Sequence, residues 1–188
     1  MSHAANARVM LTVDEFLVYD APDGKAELVR GELRMSPSPG ARHAAVITEI
    51  LIRLGTYVRG HRLGRVFSNG GFELLALPRT VRAPDVAFVR AERLPLEGIG
   101  PGFLRVAPDL AIEVVSPSET RARLREKLDD YRASHTPLVW LIDPRTRTVT
   151  VIEGDQPVRH LAQADVLSGG SVVPGFTCAI SELFVGIV

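Results

Sequence analysis

The sequence predicts an α/β protein with a mixed central β-sheet flanked by helices, and three observations predict it. In the second half the apolar run DLAIEVVS precedes the helical stretch SPSETRARLREKLDDYRASH and a second apolar run, PLVWLID. Strand, helix and strand in that order make a crossover unit, which sets parallel or mixed strands side by side and lays the helix on one sheet face. In the first half, Ile47, Ile50, Leu51, Leu54 and Val58 recur at helical spacing within residues 41–59, so a second, longer helix has one apolar side. The chain has 188 residues, 46% of them hydrophobic, enough to fill the core of one domain spanning residues 1–188, with roughly residues 1–39 as an N-terminal elaboration.

The remaining elements follow in order. Thr12 with Glu15 three places on is a capping-box pattern, since hydroxyl and carboxylate can each satisfy a free amide, so TVDEFLVY is a short helix. Residues 20–24 break it. AELVRGELRMS has two alternating arms around Arg30-Gly31 and reads as a hairpin, followed by the loop SPSPG. After the long helix, GRVFSNGGFELLAL and PDVAFVR are strand material separated by the polar segment PRTVRA, and residues 90–108 are irregular. TVTVIEG is a strand reached through the turn PRTR, with Asp143 as a turn former, and the tail SVVPGFTCAISELFV adds a strand and a short helix or turn. Ser116 and Ser118 are read as the N-cap of the second-half helix, the alternative being that the free amides there hold a phosphate.

Twenty-two basic and twenty-two acidic side chains cancel, so nucleic acid can be attracted only by a local basic face. The single cysteine, Cys178, excludes an internal disulfide and a Cys-rich zinc site. With no signal-peptide pattern and no apolar run of transmembrane length, a cytoplasmic protein without membrane contact is expected.

The candidate chemistry lies in two acids and a lysine. Asp85 opens the strand PDVAFV, and Glu113 stands in the middle of DLAIEVVS, on the face it shares with Ala111 and Val115. A carboxylate inside an apolar strand is costly to bury unless something pairs with it. Two readings stand: each acid meets one of the twenty arginines, or the two together form an oxygen site for Mg²⁺ or Mn²⁺. Lys127 is one of only two lysines in the chain, the other being Lys25. On the helix, Leu124, Leu128 and Tyr131 form the expected buried stripe with Lys127 at its edge, while Glu126, Asp129 and Asp130 point away. Lys127 either snorkels to solvent or reaches back over the Glu113 strand, where a compact ammonium suits a water or phosphate oxygen better than a guanidinium does.

The order Pro84-Asp85, Glu113, Lys127 resembles the PD-(D/E)XK nuclease superfamily, and nearly the whole chain is similar to its Uma-type restriction-endonuclease-like domain family. The pieces are TVDEFL, AELVRGELRMSPSP followed by His43, PDVAFV, IEVVSPSE, the K-x-x-x-Y of Lys127 and Tyr131, VWLIDP and the closing PGF. The resemblance implies a restriction-endonuclease-like core and a metal-dependent endonuclease acting on DNA. Asp85 and Glu113 would then hold Mg²⁺ or Mn²⁺, Lys127 would orient or deprotonate the attacking water, and His43 would assist from the opposite wall. His43 can also be read as a structural hydrogen-bonding group. Glu27, in the family's hairpin, is a further site candidate, with pairing to Arg30 or Arg34 as its alternative. The superfamily's usual lysine, two residues after the glutamate, is replaced here by Val115; in the Uma-type pattern the lysine comes from the following helix, where Lys127 stands. A homodimer is expected, because cutting both strands of a duplex needs two sites. The alternative function is a nuclease-fold binding or assembly module without turnover.

Overall fold

The structure, a computed structural model, describes residues 9–22 and 24–187. Residues 1–8, the start of the expected N-terminal elaboration, and Asp23, within the expected break, lie outside the described residues.

The capping box forms as read: Thr12 accepts from the Glu15 amide, Glu15 accepts from the Thr12 amide, and α1 runs Val13–Leu17. The hairpin follows as β1 (Lys25–Val29) and β2 (Glu32–Ser36). Its two-residue loop, Arg30-Gly31, has both φ angles positive at 51° and 86°, the twist that a tight antiparallel hairpin needs and that glycine supplies without strain. α2 spans Ala41–Gly60. Then come β3 (Gly64–Ser68), β4 (Phe72–Glu73), β5 (Val81–Arg82), β6 (Val86–Arg90) and β7 (Leu110–Val114). The crossover helix α3 (Arg121–Ala133) leads to β8 (Leu138–Asp143) and β9 (Thr148–Glu153), with β10 (Arg159–Leu161), β11 (Val166–Ser168) and β12 (Thr177–Ala179) completing the strands.

Six strands form the central sheet in the order β10-β9-β8-β7-β6-β3, in which β7 and β8 are parallel and the other neighbours antiparallel. The one parallel pair is the pair joined through α3, as a crossover requires. Alternation divides this sheet cleanly. Val86, Phe88, Leu110, Ile112, Val114, Trp140 and Ile142 pack with Val46, Ile50 and Leu54 of α2. On the other face, Ala87 and Val89 meet Phe72 and Leu74, while Ala111 and Val139 meet Tyr131 of α3. A second sheet, β2-β1-β5-β4, packs on the first through Phe72 of β4 and is backed by Phe16 of α1 against Leu28 and Val81.

Four expectations need correction. PRTVRA is not only a polar connection: Val81 pairs with Leu28 of β1, and both Val81 and Arg82 are buried. A charged residue reads as solvated until its partners are known, and here two distant carboxylates supply them. Second, α3 begins later than the serines. Its N-cap is Thr120, which accepts from the Arg123 amide, while Ser116 and Ser118 face each other at 3.0 Å in the preceding loop. Third, α3 does not bury a leucine stripe. Lys127, Asp130 and Tyr131 are its buried residues, whereas Leu124 and Leu128 are half-buried. Hydrophobic periodicity could not find that face because the face is charged. Fourth, β10 and β11 lie in a stretch where no strand is expected.

Candidate functional site

Asp85 sits one residue before β6, and Val86 pairs with Ile112 of β7, so the Asp85 and Glu113 side chains emerge side by side on the sheet face opposite α2. The Val114 amide donates to Asp85 Oδ2 at 2.8 Å and fixes that carboxylate against the end of β7. From the small sheet, Lys25 at the start of β1 extends its ammonium to Asp85 Oδ1 at 2.8 Å and to within 3.9 Å of Glu113 Oε2. From α3, Lys127 Nζ lies 3.1 Å from the same Glu113 Oε2 and 3.1 Å from Glu119 Oε1. The result is a row of alternating charge: Asp85, Lys25, Glu113, Lys127, Glu119. Tyr131, one turn after Lys127, donates its hydroxyl to Glu113 Oε1 at 2.6 Å. His43, in the first turn of α2, brings Nε2 to 3.2 Å from Asp85 Oδ2.

A second charged group stands behind the first. Arg82 donates to Glu27 at 3.1 Å and, through Nε, to Asp130 at 2.8 Å, and the Ala83 amide donates to Glu27 at 2.9 Å. Arg30 reaches Asp130 at 2.7 Å from the hairpin loop. These pairs tie β1, β5 and α3 together, and so hold Lys25 and Lys127 over the same spot.

The surroundings set the charges. Burial would raise the Asp85 carboxyl, but the His43 hydrogen bond, the Lys25 ammonium and the Val114 amide hold it well below the usual carboxylate range. Burial pushes Glu27 up, yet Lys127, Arg82 and Lys25 keep it low. Glu113 behaves differently: at 1% exposure its desolvation outweighs Lys127 and Lys25, and its carboxyl is raised. Burial alone would lower Lys127, but Glu113, Glu27 and Glu119 raise it far above its ordinary value, and Lys25 is likewise raised against burial by Glu113 and Asp85. Both ammoniums are therefore charged at neutral pH. Burial and Glu113 push the Tyr131 phenol well up, so it remains a proton donor to that carboxylate.

Asp85, Glu113, Lys127 and His43 all line one cavity of about 410 Å³, together with Lys25, Ser116, Ser118 and Glu119. Glu27 does not line it. Its carboxylate is turned to Arg82 and the Ala83 amide, and neither Arg30 nor Arg34 is its partner. Asp85 and Glu113 meet lysines where the alternative reading had arginines. Four participants escaped the sequence reading: Lys25, Glu119, Arg82 and the hydroxyl role of Tyr131. Lys25 carried a signal, because the rarity that singled out Lys127 applies to it equally, and period two puts it on the same strand face as Glu27.

Among the described residues no group of three or more His, Cys, Asp and Glu side chains is arranged around a metal position. That is unlike a zinc centre, which is enclosed by three or four protein ligands. Two hard carboxylates beside an open cavity do fit Mg²⁺ or Mn²⁺, which keep several waters and need only one or two carboxylates from the protein.

The sequence matches the Uma2 family, described as putative restriction endonucleases, over residues 13–181. The chain belongs to the Uma2 family. A comparison with curated protein sequences finds no match. Among solved structures this Uma2 chain is similar to a protein from Anabaena variabilis ATCC 29413, described as a putative nuclease belonging to DUF820. The TM-score is 0.80 at 24% identity, covering 95% of this chain and 99% of that one. At that identity the likeness is one of fold, and the fold is the mixed α/β architecture expected from the sequence. No helix of this Uma2 chain, among the described residues, is long and apolar enough to cross a membrane.

Proposed function

We propose that the chain hydrolyses phosphodiester bonds in DNA with Mg²⁺ or Mn²⁺ held by Asp85 and Glu113. The observation that carries this reading is the alternating row from Asp85 to Glu119, in which both lysines of the chain meet the carboxylates of the two strand ends inside an open cavity. When bound, the ion would activate water and neutralise phosphate charge. Lys127 offers a permanent positive charge at the cavity wall, suited to orienting a water or a phosphate oxygen. Its surroundings favour the protonated form so strongly that the orienting role, not the base role, fits it. Lys25 compensates the carboxylate pair from the side of the small sheet. Ser116 and Ser118 add hydroxyls at the cavity wall.

Incubation of purified protein with duplex DNA and Mg²⁺ or Mn²⁺, with EDTA and Asp85→Asn as controls, tests the reading. Cleavage that requires both the ion and Asp85 is the expected result. A homodimer acting in the cytoplasm belongs to the same reading, and light scattering that shows only monomer with duplex DNA present would remove that part.

One observation favours the second reading, an inert nuclease-fold module. Each oxygen of Asp85 and Glu113 already faces an internal donor, so the site is charge-compensated without an added ion. Titration calorimetry with Mn²⁺ separates the two: absence of any binding leaves only the inert module.

A further inference from the structure

A second cavity, about 630 Å³, adjoins the first and shares His43, Ser116 and Glu119 with it. We infer that this second cavity seats the nucleic-acid strand flanking the cleaved phosphate, its arginines on the backbone and its apolar lining against a nucleotide. The inference rests on the nuclease reading and extends it from the reacting group to the path of the substrate.

Charge gives the first argument. Arg42, Arg121 and Arg145 line the cavity, against Glu119 and Asp143. Both acids are engaged elsewhere: Glu119 with Lys127 at 3.1 Å, and Asp143 with the Arg145 amide at 2.8 Å as the cap of its turn. The guanidiniums of Arg121 and Arg145, like that of Arg123 on the first cavity, have no side-chain partner among the described residues, and all three are exposed. In a chain of zero net charge, uncompensated arginines gathered beside an oxygen-rich site make a local positive field.

Backbone placement gives the second. The first turns of α2 and α3 both open at these cavities, and neither contains an acidic residue. Helix amides and macrodipole already make such an end positive, so Arg121 and Arg123 in the first turn of α3 add like charge where acids would be the stabilising choice. An anion resolves that conflict. His43 lies on the wall between the cavities, nine-tenths buried, and its Nδ1 has no hydrogen-bond partner among the described residues. Alongside these charges Leu124, Leu141 and Pro117 give the cavity apolar lining, with Thr148 and Thr150 also on its wall. Exposed cations and apolar lining in one cavity match a nucleotide strand, which has phosphate edges and flat apolar faces.

Fluorescence anisotropy of a labelled single-stranded oligonucleotide, measured in EDTA so that no cleavage intervenes, tests this. Arg121→Ala with Arg145→Ala removes two exposed, unpaired side chains and is compatible with folding. Binding should weaken about tenfold or more at low salt, and the slope of log K against log salt should become shallower by about 0.7 to 0.9 for each lost contact. Arg59→Ala, near the other end of the 20-residue α2 and about 25 Å along it from Arg42, is the control and should leave both unchanged. Mn²⁺ binding of the double variant should equal that of wild type. Wild type that binds while the double variant binds equally well, or the control weakening as much as the double variant, overturns this inference alone. Wild type that binds no single-stranded oligonucleotide overturns this inference, and the nuclease reading falls with it only if duplex DNA is also left uncut with Mn²⁺.

Discussion

The Lys25 ammonium donates to Asp85 Oδ1 at 2.8 Å across sixty residues of chain, and its second neighbour at 3.9 Å is Glu113. An internal cation therefore stands beside both carboxylates proposed to hold an external one. Lys25 arrives from the small sheet on a flexible stem and is the more exposed of the two site lysines, with 18% side-chain exposure against 8%.

The first prediction concerns Lys25→Met, which keeps the stem and removes the charge. Without a metal, two buried carboxylates lose a partner, and stability in EDTA should fall by about 3 kcal/mol, the lower end for a broken buried pair. Mn²⁺ no longer competes with the ammonium, so calorimetry should show affinity roughly tenfold higher than wild type. Equal or weaker Mn²⁺ binding would assign Lys25 to holding the site rather than guarding it.

Lys127→Arg tests the opposite wall. Lys127 fits between Glu113 and Glu119 at 3.1 Å from each, in a space sized for an ammonium. The guanidinium preserves the charge but not the fit, so cleavage should drop by roughly a hundredfold. Mn²⁺ affinity should change little, because both carboxylates remain. A variant that cuts as well as wild type would take Lys127 out of the reaction.

Glu113→Gln has a signature in pH. Burial raises the Glu113 carboxyl from 4.5, so above that value the native state holds more protons than the unfolded chain, and stability falls as pH rises toward the raised value. Asp85 and Glu27 are held low and contribute the opposite: stability present above their unfolded values and lost on acidification. Only the Glu113 contribution disappears in the variant. Urea titrations at about pH 4, 6 and 8 should therefore show Glu113→Gln gaining on wild type as pH rises. Lys25 and Lys127 keep Asp85 and Glu119 as partners, so the variant should remain folded.

Arg82→Ala addresses the second network. It leaves Glu27 and Asp130 buried, and among the described residues Asp130 retains only the half-exposed Arg30. Urea unfolding should show a loss of about 3 to 5 kcal/mol, the range for removing one partner of a buried ion pair. Retention of wild-type stability would mean that the network has little part in holding β1, β5 and α3 together.

The sequence by itself determined the local elements and the crossover. The Thr12 capping box, the Arg30-Gly31 hairpin, the α2 stripe from Ile47 to Val58 and the DLAIEVVS, PLVWLID and TVTVIEG strands each follow from short-range periodicity or turn chemistry, and each stands where it was read. Asp85 and Glu113 were visible as acids out of place in apolar strands, and Lys127 as a lysine among arginines. Tertiary structure decided which charges meet. By local pattern Asp130 faces solvent and Arg82 belongs to a polar connection, yet each is buried because the other is there, 48 residues away. Asp85 is likewise buried beside a distant cation, Lys25, which itself stays partly exposed. Burial of an apolar residue is dictated by its own surface and shows in the pattern around it, whereas burial of a charge is permitted only by a distant opposite charge, and no local pattern can contain that.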